Sequence, residues 1–170
     1  MKAIFFSICI LFSIVSFAQE IKSSTIDGFT NERTVETSIL TLKQGLTTGL
    51  GTSYSSNGRN YYLNIIGYGS TGTLIGENDK VWFVLTDGSV VKLEYRAQIP
   101  FNGSDIQNIY VHHYIISLED VEILKNRPAT LLRIVSTQGN TDIPLPNRIS
   151  KKFSKLSDLF LREVSKDIPE

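Results

Sequence analysis

The chain is poor in the residues that most often carry chemistry. Its one cysteine, Cys9, and its one methionine, Met1, both sit at the very start, and His112 and His113 are its only histidines. Beyond Cys9 there is no thiol to form a disulfide, act as a nucleophile or hold a metal. No H-E-x-x-H or comparable spacing points to zinc. No G-x-S-x-G elbow or S-x-x-K pair points to an activated serine. An excess of one charge is also missing: 17 lysines and arginines face 17 aspartates and glutamates, so no global field draws in nucleic acid or an anionic membrane. No repeat at solenoid spacing is present, and the strand-like segments are not separated by regular helices, which argues against a parallel α/β sheet.

What is present at the start, MKAIFFSICILFSIVSFAQE, has the parts of a secretory signal peptide. Lys2 is followed by an apolar run from Ile4 to Val15, too short to span a bilayer, and Ser16 and Ala18 are small residues at the minus-three and minus-one positions. Cleavage is expected after Ala18, leaving 152 residues from Gln19 with 16 basic and 17 acidic side chains. Cys9 lies inside the apolar run without the small residues of a lipobox, so the product reads as free of a lipid anchor. The ending Phe17-Ala18-Gln19 resembles that of exported proteins of Gram-negative bacteria, which implies a periplasmic or extracellular location. No later segment approaches the roughly 20 apolar residues of a membrane helix.

Residues 19–33 read as a polar leader or weak edge segment, and residues 34–170 as a single β-rich domain. TVETSILTLK, from Thr34, is rich in β-branched residues without a helical stripe. Asn57-Gly58 and Asp87-Gly88 mark the tips of two hairpins. Two-residue tips predict Tyr54 opposite Tyr61 in the first hairpin. In the second they predict Trp82 opposite Leu93, with Trp82, Val84, Val91 and Leu93 sharing one face. IYVHHYII and TLLRIVS read as further strands. Between them Ser117 and Asp120 match a capping box that opens a short helix ended by Pro128. Ile149, Phe153, Leu156, Phe160 and Val164 form the apolar stripe of a closing helix, with Asn147 or Ser150 as its cap. The expected fold is α+β: an antiparallel, hairpin-rich sheet or small sandwich with a short inserted helix and a C-terminal amphipathic helix.

Gly67-Tyr68-Gly69-Ser70-Thr71-Gly72 satisfies G-x-G-x-x-G, and Asp87 follows at dinucleotide-fold spacing. The chemistry needs a helix opening at the last glycine to face a pyrophosphate, and TLIGENDK followed by strand supplies none. No cofactor is expected. His112 and His113, adjacent on a strand, point to opposite faces and do not converge on one metal. Asp87, flanked by Thr86 and Ser89, is explained by its hairpin tip, a solvated place unsuited to a catalytic carboxylate. Asn102-Gly103-Ser104, a glycosylation sequon, reads as a turn.

One surface is unusual. On the first hairpin, Gly49, Gly51, Ser53 and Ser55 leave a shallow floor beside Asn60, Tyr62, Asn64 and Tyr68, a platform suited to a sugar ring or a partner's side chains. The same pattern is also produced by large side chains shielding glycine backbone. Arg148, Lys151, Lys152 and Lys155 make the start of the last helix basic, against the macrodipole, which allows contact with an anionic surface or an acidic partner. The chain thus reads as a small exported, non-enzymatic interaction module recognising a cell-envelope protein or glycan. The alternative is an envelope or extracellular hydrolase using His112 or His113 as general base.

Overall fold

The computed structural model describes residues 20–27, 32–45, 48–69, 75–76, 79–100, 109–137 and 139–167. The proposed leader, the loop portion of the glycine motif (residues 70–72) and Asn102-Gly103-Ser104 lie outside them.

Ten strands and two helices are described, in the order β1 (Ile21–Ile26), β2 (Arg33–Thr37), β3 (Leu40–Gln44), β4 (Gly49–Asn57), β5 (Tyr61–Tyr68), β6 (Lys80–Leu85), β7 (Val90–Pro100), β8 (Ile109–Ile115), α1 (Leu118–Asn126), β9 (Ala129–Ser136), β10 (Gly139–Pro144) and α2 (Asn147–Val164). All pairings are antiparallel, and the sheet runs β1-β2-β4-β5-β8-β7-β6-β9-β10, with β3 beside β4. This is the expected α+β architecture, realised as one continuous sheet. The expected strand from Thr34 is two, because the chain leaves the ladder at Ser38-Ile39.

Long β7 makes the sheet continuous. Its first residues pair with β6 and its later ones with β8, with a register shift between Tyr95 and Ala97. Such a bulge bends a strand and raises its twist. The bent sheet carries α2 on one face, where the helix lies against β1 to β4 and β9, and α1 packs on α2. Phe153 links the two halves: its ring lies 5.0 Å from Phe83 of β6 and 6.0 Å from Tyr54 of β4, both stacked. Phe160 stacks on Tyr54 at 5.0 Å. The Tyr54 hydroxyl, buried with these rings, shares a 2.8 Å hydrogen bond with Ser157 Oγ.

The helix ends follow local chemistry. Ser117 Oγ accepts the Asp120 N–H at 3.0 Å, as a capping box requires, and donates to the Asp120 carboxylate at 2.8 Å. For α2 neither expected residue caps: the N-cap is Pro146, without a side-chain bond. Ser150 instead donates its hydroxyl to the Ala129 carbonyl at 2.6 Å, tying the helix to β9.

Both hairpin registers differ from the sequence expectation, with unequal consequences. In the first, Asn57 and Asn60 flank a Gly58-Arg59 tip, Asn57 N donates to Asn60 O, and Gly58 has φ +87°. Tyr54 therefore faces Leu63, two positions from Tyr61. A shift of two keeps every side chain on its expected face. In the second, three residues form the tip: Leu85 N donates to Ser89 O, Gly88 N donates to Leu85 O, and Gly88 has φ +82°. That arrangement fits a type I turn followed by a left-handed glycine, and it pairs Trp82 with Lys92 and Phe83 with Val91. A shift of one reverses the faces. Val81, Phe83, Leu85, Val91 and Leu93 face the core, while Trp82 points outward under the Lys92 ammonium, 4.9 Å from the ring centre.

Candidate functional site

The opposite registers of β5 and β8 decide where the polar side chains go. Leu63 and Ile65 face the core, opposite Tyr114 and His112, so Asn60, Tyr62, Asn64 and Tyr68 share the outer face of β5, with His113 beside Asn64 on β8. Tyr62, Asn64 and Tyr68 form a stripe along β5, about 20 Å at strand rise, with Asn60 just before the strand at the turn.

The stripe is uneven. At the turn, Asn57 Oδ1 accepts the Arg59 and Asn60 amides, leaving the Asn60 side chain exposed. Tyr62 is half-buried, with its ring edge-on to His113 at 5.9 Å and its hydroxyl accepting from Asn57 Nδ2 at 3.5 Å. Asn64 is 4 % exposed and turned into the sheet, its amide donating to Ser53 and Ser55, both at 3.1 Å. Tyr68 lies across Gly49, where any Cβ would collide with its ring. The shielding of glycine thus operates at Gly49. Ile115, 45 % exposed, continues the outer face past His113.

The two histidines separate as adjacent strand residues must. His112 is 0 % exposed on the core face, near Tyr95 (6.3 Å between ring centres), and Tyr95 meets Tyr114 edge-on at 5.8 Å. Burial raises the Tyr114 phenol strongly, and the charge of nearby Asp79 adds to it. The Asp79 carboxylate accepts the Gly76 N–H at 2.7 Å. His113 is half-buried on the outer face, and desolvation lowers its pKa from 6.5. Among the described residues no group of three or more His, Cys, Asp or Glu side chains is placed to hold a metal.

Asp87 is occupied by its own turn. Its Oδ1 accepts Ser89 N at 2.9 Å and Ser89 Oγ, and its Oδ2 meets Arg127 at 3.1 Å, with the Ser89 bonds doing most to lower its pKa. The basic residues of α2 behave differently. Asp158 pairs with Lys125 and Arg162, and Glu163 with Arg33 and Lys166, so the acidic residues of α2 neutralise cations other than Arg148, Lys151, Lys152 and Lys155. No helix of the described residues is long and apolar enough to cross a membrane. No protein-family model, no curated protein and no solved structure matches the chain.

Proposed function

We propose that the protein is a small exported binding module, non-enzymatic, that recognises a cell-envelope protein or glycan through the outer face of its sheet. The reading rests on the outer surface of β5 and β8. α2 packs on the opposite face with α1 against it, and Asn60, Tyr62, His113 and Ile115 present amide, phenol, imidazole and aliphatic groups on and beside β5 and β8. Such a mixture suits recognition: aromatic rings supply contact area with little rotamer entropy to lose, and amides fix orientation. The placement of the histidines also favours binding over hydrolysis. A general base needs reach to a substrate proton, whereas His112 is enclosed and His113 is engaged edge-on by Tyr62. Export rests on the leader alone.

The test is light cross-linking and affinity capture from the envelope fraction of the source cells, beside a glycan array, using the wild-type chain, Tyr62→Ala and Asn60→Ala. A protein or glycan retained by the wild type and lost with Tyr62→Ala is the expected result. A ligand held equally by all three refutes the surface. Hydrolysis of an envelope polymer that is lost in His113→Gln refutes the non-enzymatic reading. Asn64 is left intact because its truncation would strand Ser53 and Ser55.

A further inference from the structure

The outer edge of the sheet is covered along only part of its length. β4 takes both β2 and β3 as partners on one side, β2 beside its C-terminal half and β3 beside its N-terminal half. β1 then pairs with β2, and just before it Glu20 O accepts from Ser38 N at 2.8 Å. Among the described residues nothing pairs with the far edge of β3. Every second amide and carbonyl along it points away from β4, without a strand partner. Beside this edge lies an open groove of about 710 Å³, bounded by β3, by Ile39, and by Arg148, Ile149 and Lys152 of α2, with Glu20 at its end. Among the described residues no strand occupies it.

From this we infer that β3 accepts an extended, acidic segment of another protein as an added strand, seated in the groove against α2. Backbone recognition selects the conformation, because a row of alternating amides and carbonyls is satisfied only by another strand. The span from Leu40 to Gln44 is about 13 Å, room for a five-residue strand alongside. Ile39, 51 % exposed, and Ile149 offer apolar contact to alternate side chains. Charge selects the composition. Lys43, Arg148 and Lys152 approach the groove and form no ion pair among the described residues, while Glu20 is the only carboxylate lining it. The same cations oppose pairing of two copies edge to edge, a common use of lysine on exposed strands. The proposal shares with the proposed function only the premise of binding. It uses a separate surface and stands or falls apart from the Tyr62 stripe.

The test takes the protein produced with its own leader, purified as processed, and pans it against random ten-residue peptides. Selected sequences should be rich in Asp and Glu with β-branched residues between them. In the best binder, N-methylating alternate amides should weaken binding at least tenfold in one parity and leave it unchanged in the other, the signature of one-edge pairing. Arg148→Glu with Lys152→Glu should lose tenfold or more and prefer a lysine-substituted analogue. Tyr62→Ala should bind as wild type. Lys43→Glu, on an exposed β3 position, is the second variant should the double one fail to fold by circular dichroism. Selection of sequences without carboxylates, no selection at all, or indifference to methylation in both parities would overturn the proposal. So would phosphatidylglycerol vesicles binding where peptides do not, a peptide of residues 10–19 outcompeting every selected sequence, or a dimer that dissociates on Lys43→Glu. Those three results assign the groove to lipid, to the chain's own leader, and to a second copy.

Discussion

Phe153→Ala is the sharpest test of how the two halves of the sheet are joined. The ring is fully buried between Tyr54 of β4 and Phe83 of β6, strands that do not pair with each other. Truncating such a residue costs about 3–5 kcal/mol, from lost transfer energy and the cavity left behind. A domain of ordinary stability holds only about 5–15 kcal/mol. In a chain of this size each kcal/mol moves the melting midpoint by about 2–4 °C, so the expected fall is about 6–20 °C. Phe153→Leu fills most of the space and loses chiefly two ring contacts of about 0.5–1.5 kcal/mol each, so it should lie near 1–3 kcal/mol. Urea unfolding should be followed by Trp82 fluorescence, which reports on β6, and by far-ultraviolet circular dichroism, which reports on the whole chain. The wild type should give coincident transitions. A loss below about 1 kcal/mol for Phe153→Ala, or a wild-type Trp82 transition separate from the dichroism, would refute the bridging role of α2.

The remaining predictions use single groups. Burial raises the phenols of Tyr54 and Tyr114 far above the ordinary 10.0, so the folded state holds their protons while the unfolded chain releases them. Stability should therefore be level up to about pH 9 and fall above pH 10.0, and a spectrophotometric titration in which both ionise freely in the folded protein would contradict it. The lowered pKa of His113 gives the opposite sign: its contribution is complete above 6.5 and is lost as pH falls through its folded value. His113→Gln should flatten the decline in melting midpoint between pH 7 and pH 5, and an unchanged slope would count against burial as the cause. Gly58→Ala should be costlier than Gly88→Ala, measured by denaturant midpoints. Both have positive φ, worth about 1–2 kcal/mol, but a Cβ at Gly58 also runs into Glu32, whereas one at Gly88 meets nothing within 4 Å.

The elements were legible wherever local chemistry decides them. The Ser117 box, Pro128 and the stripe from Ile149 to Val164 each state a boundary or a face within one turn of helix. Register was less so, because Asn-Gly and Asp-Gly announce a residue with positive φ but not how many residues the loop contains. At Gly58 the error was two positions and left the faces intact. At Gly88 it was one, and it put Trp82 and Val84 on the face of Val91 and Leu93, where the structure puts Val81 and Phe83. The burial pattern carried a hint: Lys92 and Glu94 on one strand call for solvent, and only the three-residue loop puts Trp82 on the side of Lys92. β10 was missed for a related reason. Pro144 and Pro146 read as extended chain, while the pairing of Asn140 with Val135 and Ile143 with Leu132 depends on residues across the turn.

The surface stripe was legible in part, since the outer face of β5 depends only on alternation. Its depth was not. Asn64 reads from sequence as a free amide on a shallow floor, yet Ser53 and Ser55, the small residues that make the floor, also take up its hydrogen-bonding capacity. A polar side chain between two serines is more readily satisfied by them than held open for a ligand. The groove beside β3 had no sequence signal at all. It depends on how β2 and β3 share one side of β4 and on where α2 lies beside them, a relation between three strands and a helix that no single segment encodes. Lys43 and Arg148 stand more than 100 positions apart in the sequence and share that groove only after β3 has paired with β4 and α2 has docked on the sheet. The acidic side chains of α2 are engaged elsewhere, Asp158 with Lys125 and Arg162 and Glu163 with Arg33 and Lys166, so among the described residues the charges at the groove have no ion-pair partner.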